Sequence, residues 1–239
     1  MIRGIYTAAT GMVAEMNRLN IVANNLANVN ATGFKSDQTT LSSFESLLLN
    51  AYDKSGVTPV GTLGLGVQIN PAYTDFSNGA LTVTGSKTDL AIEGDALFSI
   101  EAPGGTRYTR AGNFTRDQDN FLVTQEGYKL LGEKGPIQVA GDFQITTSGE
   151  VTQGGQVIDR LQLVATGGMQ KEGETLYTAE DAQPAGNYQV IQGSLEQSNV
   201  NAIRQMIEMI NLSRSYETNQ KALTAHDETL GKVVNELTR

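Results

Sequence analysis

The residues able to do chemistry are few, and their spacing does not suit it. The chain carries one histidine, His226, and no cysteine. That removes disulfides, thiolate zinc sites, iron–sulfur clusters and cysteine nucleophiles, and leaves an imidazole metal site without a second ligand of its kind. His226 therefore reads as a polar helix position, solvated or at an interface. Gly61-Thr62-Leu63-Gly64-Leu65-Gly66 has the glycines of a phosphate cradle, but no Lys-Ser/Thr follows and no strand–turn–helix setting surrounds it. It reads as a flexible joint. Asp117-Gln118-Asp119-Asn120 opens like a calcium loop, yet the sixth position is Leu122 and the twelfth Tyr128, where such a loop needs glycine and glutamate. Asp227 and Glu228 are neighbours on a helical pattern and do not face one another as a hydrolytic pair. Met12, Met16, Met206 and Met209 lie on helical faces, where a thioether supplies adaptable packing. No catalytic residue, metal ligand or cofactor is expected.

The elements that position these residues are marked by where the chain places its breakers. All five prolines lie between Pro59 and Pro184, and 22 of 26 glycines between Gly56 and Gly193. Both ends are free to form long helices. Ile2, Ile5, Ala9, Met12, Met16, Leu19, Ala23 and Leu26 recur at alternating steps of three and four, a heptad seam. Gly11 interrupts it at a cost of about 1 kcal/mol relative to alanine. Asn28, Asn30, Thr32 and Gly33 supply stop signals, so the first helix should end near residue 28. Ala202, Met209, Tyr216, Leu223, Leu230 and Leu237 recur every seven residues and predict a second long helix, with Ser198 or Asn199 as N-cap. Its companion positions are taken as Met206, Ser213, Gln220, Asp227 and Val234. Their polar middle weakens a two-stranded coil and points to several neighbours.

Between the helices the period falls to two. Ala80–Thr84, Leu97–Ile100, Phe121–Thr124, Phe143–Thr146 and Leu161–Val164 predict short strands, with turns at Gly104-Gly105 and Asp119-Asn120. The fold class is α+β: long N- and C-terminal helices forming a coiled-coil-like helical domain, with a central, mainly antiparallel β domain. The boundaries are 1–35 and 195–239 for the helical domain, 36–69 for an extended arm or linker, and 70–194 for the β domain. The formal charge is −9 over 239 residues, with nine basic and seventeen acidic groups in 51–194. That opposes a phosphate-tracking nucleic-acid surface. No stretch approaches the ~20 apolar residues of a membrane span, and the N-terminus lacks the apolar region of a cleavable signal peptide. The expected protein does not span a membrane and uses neither nucleic acid nor a small-molecule substrate.

Ala23-Asn24-Asn25-Leu26-Ala27-Asn28-Val29-Asn30-Ala31-Thr32-Gly33-Phe34-Lys35 resembles the signature that opens the bacterial flagellar axial proteins of rod, hook and junction. Asp89-Leu90-Ala91-Ile92-Glu93-Gly94, Tyr108-Thr109-Arg110-Ala111-Gly112-Asn113-Phe114 and Leu122-Val123-Thr124 with Gly127-Tyr128 are similar to the β-domain pattern of the rod branch. Ser198-Asn199-Val200, Arg214-Ser215-Tyr216-Glu217 and Asp227-Glu228 near Leu230 are similar to its C-terminal helix. Ala96 and Asn120 stand where the family usually has glycine; asparagine tolerates positive φ, so the turn survives.

The resemblance implies a non-enzymatic rod subunit, proximal or distal, the short segment after the first helix favouring the proximal rod. It polymerises helically into the shaft between motor base and hook. It implies export through the flagellar type III apparatus without a cleavable signal peptide, and residence in the basal body. Its partners are copies of itself and homologous axial rod and hook subunits. The assembly interface is expected at Ile5, Met12, Met16, Leu19, Asn24, Asn25, Leu26, Asn28, Gly33 and Phe34, and at Met206, Met209, Tyr216, Leu223, Leu230 and Leu237. The competing reading is a cell-surface polysaccharide- or peptidoglycan-binding β module that presents Tyr108, Tyr128, Tyr177 and Tyr188 as exposed aromatics. An enzyme would need a convergent nucleophile and acid–base set, which the sequence does not offer.

Overall fold

The computed structural model describes residues 2–44, 47–53, 56–64, 66–179 and 181–237, the backbone alone being described at Ile2, Arg3, from Leu47 to Leu63, and at Leu237. The architecture is α+β. Helix α1 spans Ile2–Ala27 and helix α2 spans Ala202–Leu237, with β structure between them. α1 ends within a residue of the expected stop. The chain forms two compact units. One comprises Met1–Leu26, Asp37–Tyr73 and Ala202–Arg239; the other comprises Ala27–Ser36 and Thr74–Asn201. Three segments thus fall differently from the sequence reading. Residues 27–36 and 195–201 go with the β unit, and 37–73 go with the helices.

The β unit is organised on strand Ala96–Ala102. It pairs antiparallel with Gly105–Thr109 on one edge, and with Lys129–Gly132 and Leu163–Ala165 on the other. Its first five residues are all buried because both faces are covered. Ala96, Phe98 and Ile100 join the main core with Leu90, Phe114, Leu122 and Phe143. Leu97 points to a smaller core with Tyr108, Val164 and Tyr177. A strand buried on both faces reads as a continuous apolar run, as Ala96-Leu97-Phe98 does. The turn after it is Pro103-Gly104, with Gly105 already paired to Ala102, one residue earlier than Gly104-Gly105. Asn120 does take φ 65°, as a turn at that position requires.

In the helical unit, the segment expected as an arm or joint is antiparallel β structure. Leu41–Ser43 pairs with Val67–Ile69, and Leu47–Asp53 pairs with Gly56–Leu63. The side chains of Leu47, Leu48 and Leu49, and Leu65 itself, lie outside the described residues. The apolar interior of this unit is small. Among the described residues its fully buried hydrophobic side chains are Ala14, Val22 and Leu212, against a core of sixteen residues in the β unit.

Candidate assembly interface and its anchoring network

α1 and α2 run antiparallel, and small residues set their register. A Cβ added at Gly4 would stand 2.8 Å from His226 Nε2, and one added at Gly11 would stand 3.2 Å from Asn219 Nδ2. Both polar side chains of α2 thus enter notches that only glycine leaves open. Seven residues further along α1, Arg18 donates to Glu208 Oε1 at 3.1 Å and lies 3.8 Å from Glu15 Oε2. The two glycine contacts share one register, residue i of α1 standing level with residue 230 − i of α2. This face is built from glycine, histidine, asparagine and charged residues, so a search for apolar periodicity passes over it. The cost of Gly11 in a helix is the condition for admitting Asn219.

The expected heptad of α2 is half right. Ala202, Met209, Tyr216, Leu223 and Leu230 are all half-buried, but Met206, Ser213, Gln220, Asp227 and Val234 are exposed. The second row of the seam lies at plus three: Gln205, Leu212, Asn219 and His226 are half-buried or buried. The side chain of Leu237 lies outside the described residues. Ser198 and Asn199 do not cap this helix. Ser198 Oγ accepts the Val200 N–H, Asn199 is bonded elsewhere, and α2 begins at Ala202. On α1, Ile5, Met12, Leu19 and Leu26 are half-buried, while Met16, Ala23 and Asn24 are exposed and the side chain of Ile2 lies outside the described residues.

Asn25, Asn28, Gly33 and Phe34 are buried inside the chain rather than offered to a neighbour. Asn25 Nδ2 donates to Asp37 O at 2.8 Å and Asn25 Oδ1 accepts the Asp37 N–H at 3.0 Å. Residues 25 and 37 are thereby held together, and the intervening loop leaves and returns at one point. Gly33 takes φ 66°, and a Cβ there would stand 2.5 Å from the Arg110 carbonyl and the Ala111 nitrogen. Its N–H donates to Glu196 O at 2.8 Å. The Phe34 ring is covered by Lys171 Nζ at 4.3 Å from its centroid.

Next to Phe34 sits a buried ionic cluster. Lys35 Nζ lies 2.7 Å from Glu196 Oε1 and donates to Ser77 O at 2.7 Å. Arg110 Nε donates to Glu196 Oε2, and its Nη atoms donate to Ala96 O, Ile92 O and Asn78 Oδ1. The Gly79 N–H donates to Glu196 Oε1 at 2.8 Å. The Lys35, Glu196 and Arg110 side chains are each 1% exposed. Burial pushes the Glu196 carboxyl up, but Arg110 and Lys35 together outweigh it and hold the group below its ordinary value. Burial lowers Lys35, with Glu196 opposing. Asn199 extends the network, donating to Asp75 O and accepting the Ser36 N–H, both at 2.8 Å. Segments 33–36, 75–79 and 194–199 of the β unit are thus bonded to one another, and these segments lead to the chain crossings into the helical unit.

Three family models match the chain in succession. Residues 5–35 match the flagella basal body rod protein model, 91–158 the flagellar hook protein FlgE/F/G D1 domain, and 191–237 the flagellar basal body rod FlgEFG protein C-terminal model. The flagellar basal-body rod protein FlgG of Bacillus subtilis is 36% identical over 98% of this chain and 99% of its own length. The chain belongs to the flagellar basal-body rod protein family. FlgG of Borreliella burgdorferi is 34% identical over the whole of both chains, and FlgF of Rhizobium meliloti 33% identical over 98% and 97%. Both kinds of rod protein match at similar identity.

In this rod-family chain the ionic cluster takes one residue from each matched segment: Lys35 from the first, Arg110 from the second and Glu196 from the third. The signature therefore ends on a side chain whose partner lies 161 residues away. Sequence reasoning found Lys35 and Arg110 in two separate motifs but did not join them, since Glu196, which bridges them, is marked by no local pattern. The tyrosines of the competing reading do not form an exposed set. Tyr108 and Tyr177 are buried in the smaller core, and Tyr128 and Tyr188 are half-buried against the larger one. Among the described residues no helix is long and apolar enough to cross a membrane, and no group of three or more acidic or histidine side chains is placed to hold a metal ion.

Proposed function

We propose that this chain is a structural, non-enzymatic subunit of the bacterial flagellar basal-body rod. It polymerises helically with copies of itself and with homologous axial subunits into the shaft that links motor base to hook. The helical unit is the polymerisation element and the β unit an outer packing layer. Export through the flagellar type III apparatus, without a cleavable signal peptide, belongs to the same reading.

One observation carries it. Of the large hydrophobic side chains exposed among the described residues, all but Leu81, Val83 and Val157 belong to the helical unit, whose own buried apolar interior is Ala14, Val22 and Leu212. A unit with so little interior and so much apolar surface is stabilised by association. A head-to-tail contact whose rotation does not close builds a helical tube. Ile5, Met12, Met16, Leu19, Asn24, Leu26, Met206, Met209, Tyr216, Leu223 and Leu230 supply that contact surface, while Asn25, Asn28, Gly33 and Phe34 hold the subunit's own loop.

Hydrogen exchange on the free chain and on isolated basal bodies tests the reading. In the free chain the amides of α1 and α2 should exchange orders of magnitude faster than those of Leu90–Ile100, and should become protected in the basal body. Helices protected in the free monomer as strongly as that strand core would refute the proposal.

A further inference from the structure

The helical unit carries a groove and a ridge of matching chemistry. The groove, about 280 Å³, is walled by Ala9, Val13 and Ala14 of α1 and by Phe44, Val67 and Ile69 of the β segment. None of its lining residues is charged, and it is smaller than the ~300–1,000 Å³ of ordinary ligand clefts. It suits a few aliphatic side chains better than a cofactor. The ridge is the start of α2: Ile203, Met206, Ile207 and Ile210, at spacings of three and four, are 71%, 49%, 55% and 52% exposed. Side chains so spaced share one helix face. Val13, on the groove wall, is itself 56% exposed.

The two features do not meet within one molecule: each of the four ridge side chains is at least 49% exposed, and none of them lines the groove. We infer that the Ile203–Ile210 ridge of one copy seats in the Val13–Phe44–Ile69 groove of the next, the contact that propagates the polymer. This deepens the rod reading and rests on it. The occupant is a second copy because ridge and groove are on the same unit, are both uncharged, and leave each other uncovered within the molecule. A contact between two different patches is heterologous, so each copy is left with one free groove and one free ridge, and growth continues.

The absence of native cysteine makes the test clean. Val13→Cys and Ile207→Cys are introduced on separate chains, co-expressed in cells that build the flagellum, and oxidised in purified basal bodies. A disulfide-linked dimer is expected only when both variants are present, and not from either alone. Basal bodies that contain both variants and give no mixed dimer, or that give Ile207–Ile207 position dimers as readily, overturn the inference while leaving the rod reading intact. Absence of the wild-type chain from basal bodies would instead refute the rod reading itself. If either cysteine variant fails to assemble, Ile207→Lys is paired with Val13→Asp. Assembly lost in the first and restored by the second supports the contact, and assembly not restored overturns it.

Discussion

Glu196→Gln is the substitution that most directly probes how the β unit holds the ends of its chain. The carboxylate is met by Lys35 Nζ, Arg110 Nε and the Gly79 N–H in a site 1% exposed. Removing one partner of a buried ion pair costs about 3–5 kcal/mol, chiefly because the remaining charge stays buried without compensation. The lower end applies here. Arg110 keeps Ala96 O, Ile92 O and Asn78 Oδ1, Lys35 keeps Ser77 O, and one glutamine oxygen still serves the Gly79 N–H. With the oxygen at the position shared by Gly79 and Lys35, the glutamine NH₂ must face the Arg110 Nε–H, a donor against a donor. A loss of about 3 kcal/mol, with a slope near 2 kcal/mol per molar urea, lowers the unfolding midpoint of the β unit by about 1.5 M.

Asp142→Asn serves as the control. Asp142 pairs with Lys87 at 2.7 Å on the surface, and its loss should leave the midpoint unchanged. The pH dependence has a definite sign. Glu196 has a folded value below its ordinary 4.5. Its contribution is therefore complete above that unfolded value and is lost as pH falls through the folded one. The gap between wild type and Glu196→Gln should hold from neutrality to about pH 4.5 and shrink below it. Lys35 works in the opposite direction. Its folded value lies below 10.5, so its penalty is felt at neutral pH and lifts as pH rises through the window between the two. Urea titrations followed by tyrosine fluorescence across about pH 3–7, the range of the carboxylate, read out the Glu196 dependence. A midpoint loss no larger than that of Asp142→Asn, or a gap that persists unchanged into acid, refutes the reasoning.

Gly33→Ala should destabilise the β unit by more than the ~1 kcal/mol typical of a glycine replaced at positive φ, since its Cβ would press on the Arg110 carbonyl as well. The urea midpoint of the full chain measures it, and a neutral result would mean the loop does not close on Arg110. Gly11→Leu should force Asn219 out of its notch and part α1 from α2. The expected outcome is lower helicity by circular dichroism, with the urea midpoint of the β unit unmoved. Unchanged helicity would place Asn219 elsewhere.

What could be read from the residues follows from how each kind of contact marks a sequence. Long helices announce themselves through period and through missing glycine and proline, and α1 and α2 were legible almost to their ends. The strand Ala96–Ala102 was legible as an apolar run because both its faces are covered. The arm after α1 was not, since the pairing of Leu41–Ser43 with Val67–Ile69 joins residues 24 to 28 apart and neither partner shows strong alternation alone. The helix–helix face was misread for a chemical reason. A seam formed by Gly4, Gly11 and Arg18 against His226, Asn219 and Glu208 has no apolar signal to detect, and the choice between plus three and plus four then fell to Met206 and Val234, which face outward.

The same distinction explains why one signature serves two purposes. Asparagine density and the Thr-Gly-Phe-Lys end made the segment from Ala23 to Lys35 conspicuous, and a conspicuous segment invites assignment to the interface. Its interior residues are instead spent on the subunit itself. Asn25 joins the two ends of the loop, Gly33 admits the Arg110 backbone, and Lys35 completes the charge of Glu196. Each needs a specific atom at hydrogen-bond distance, which a growing polymer could supply only after the fact. Apolar side chains such as Val13 and Ile207 need only be covered, so they can wait exposed for a neighbour. A subunit that satisfies its directional contacts internally and leaves its non-directional ones unmet is specific before assembly and adhesive during it. On this reasoning, polar substitutions in the signature should act on the folding of the subunit, and polar substitutions on the ridge should act on growth of the rod.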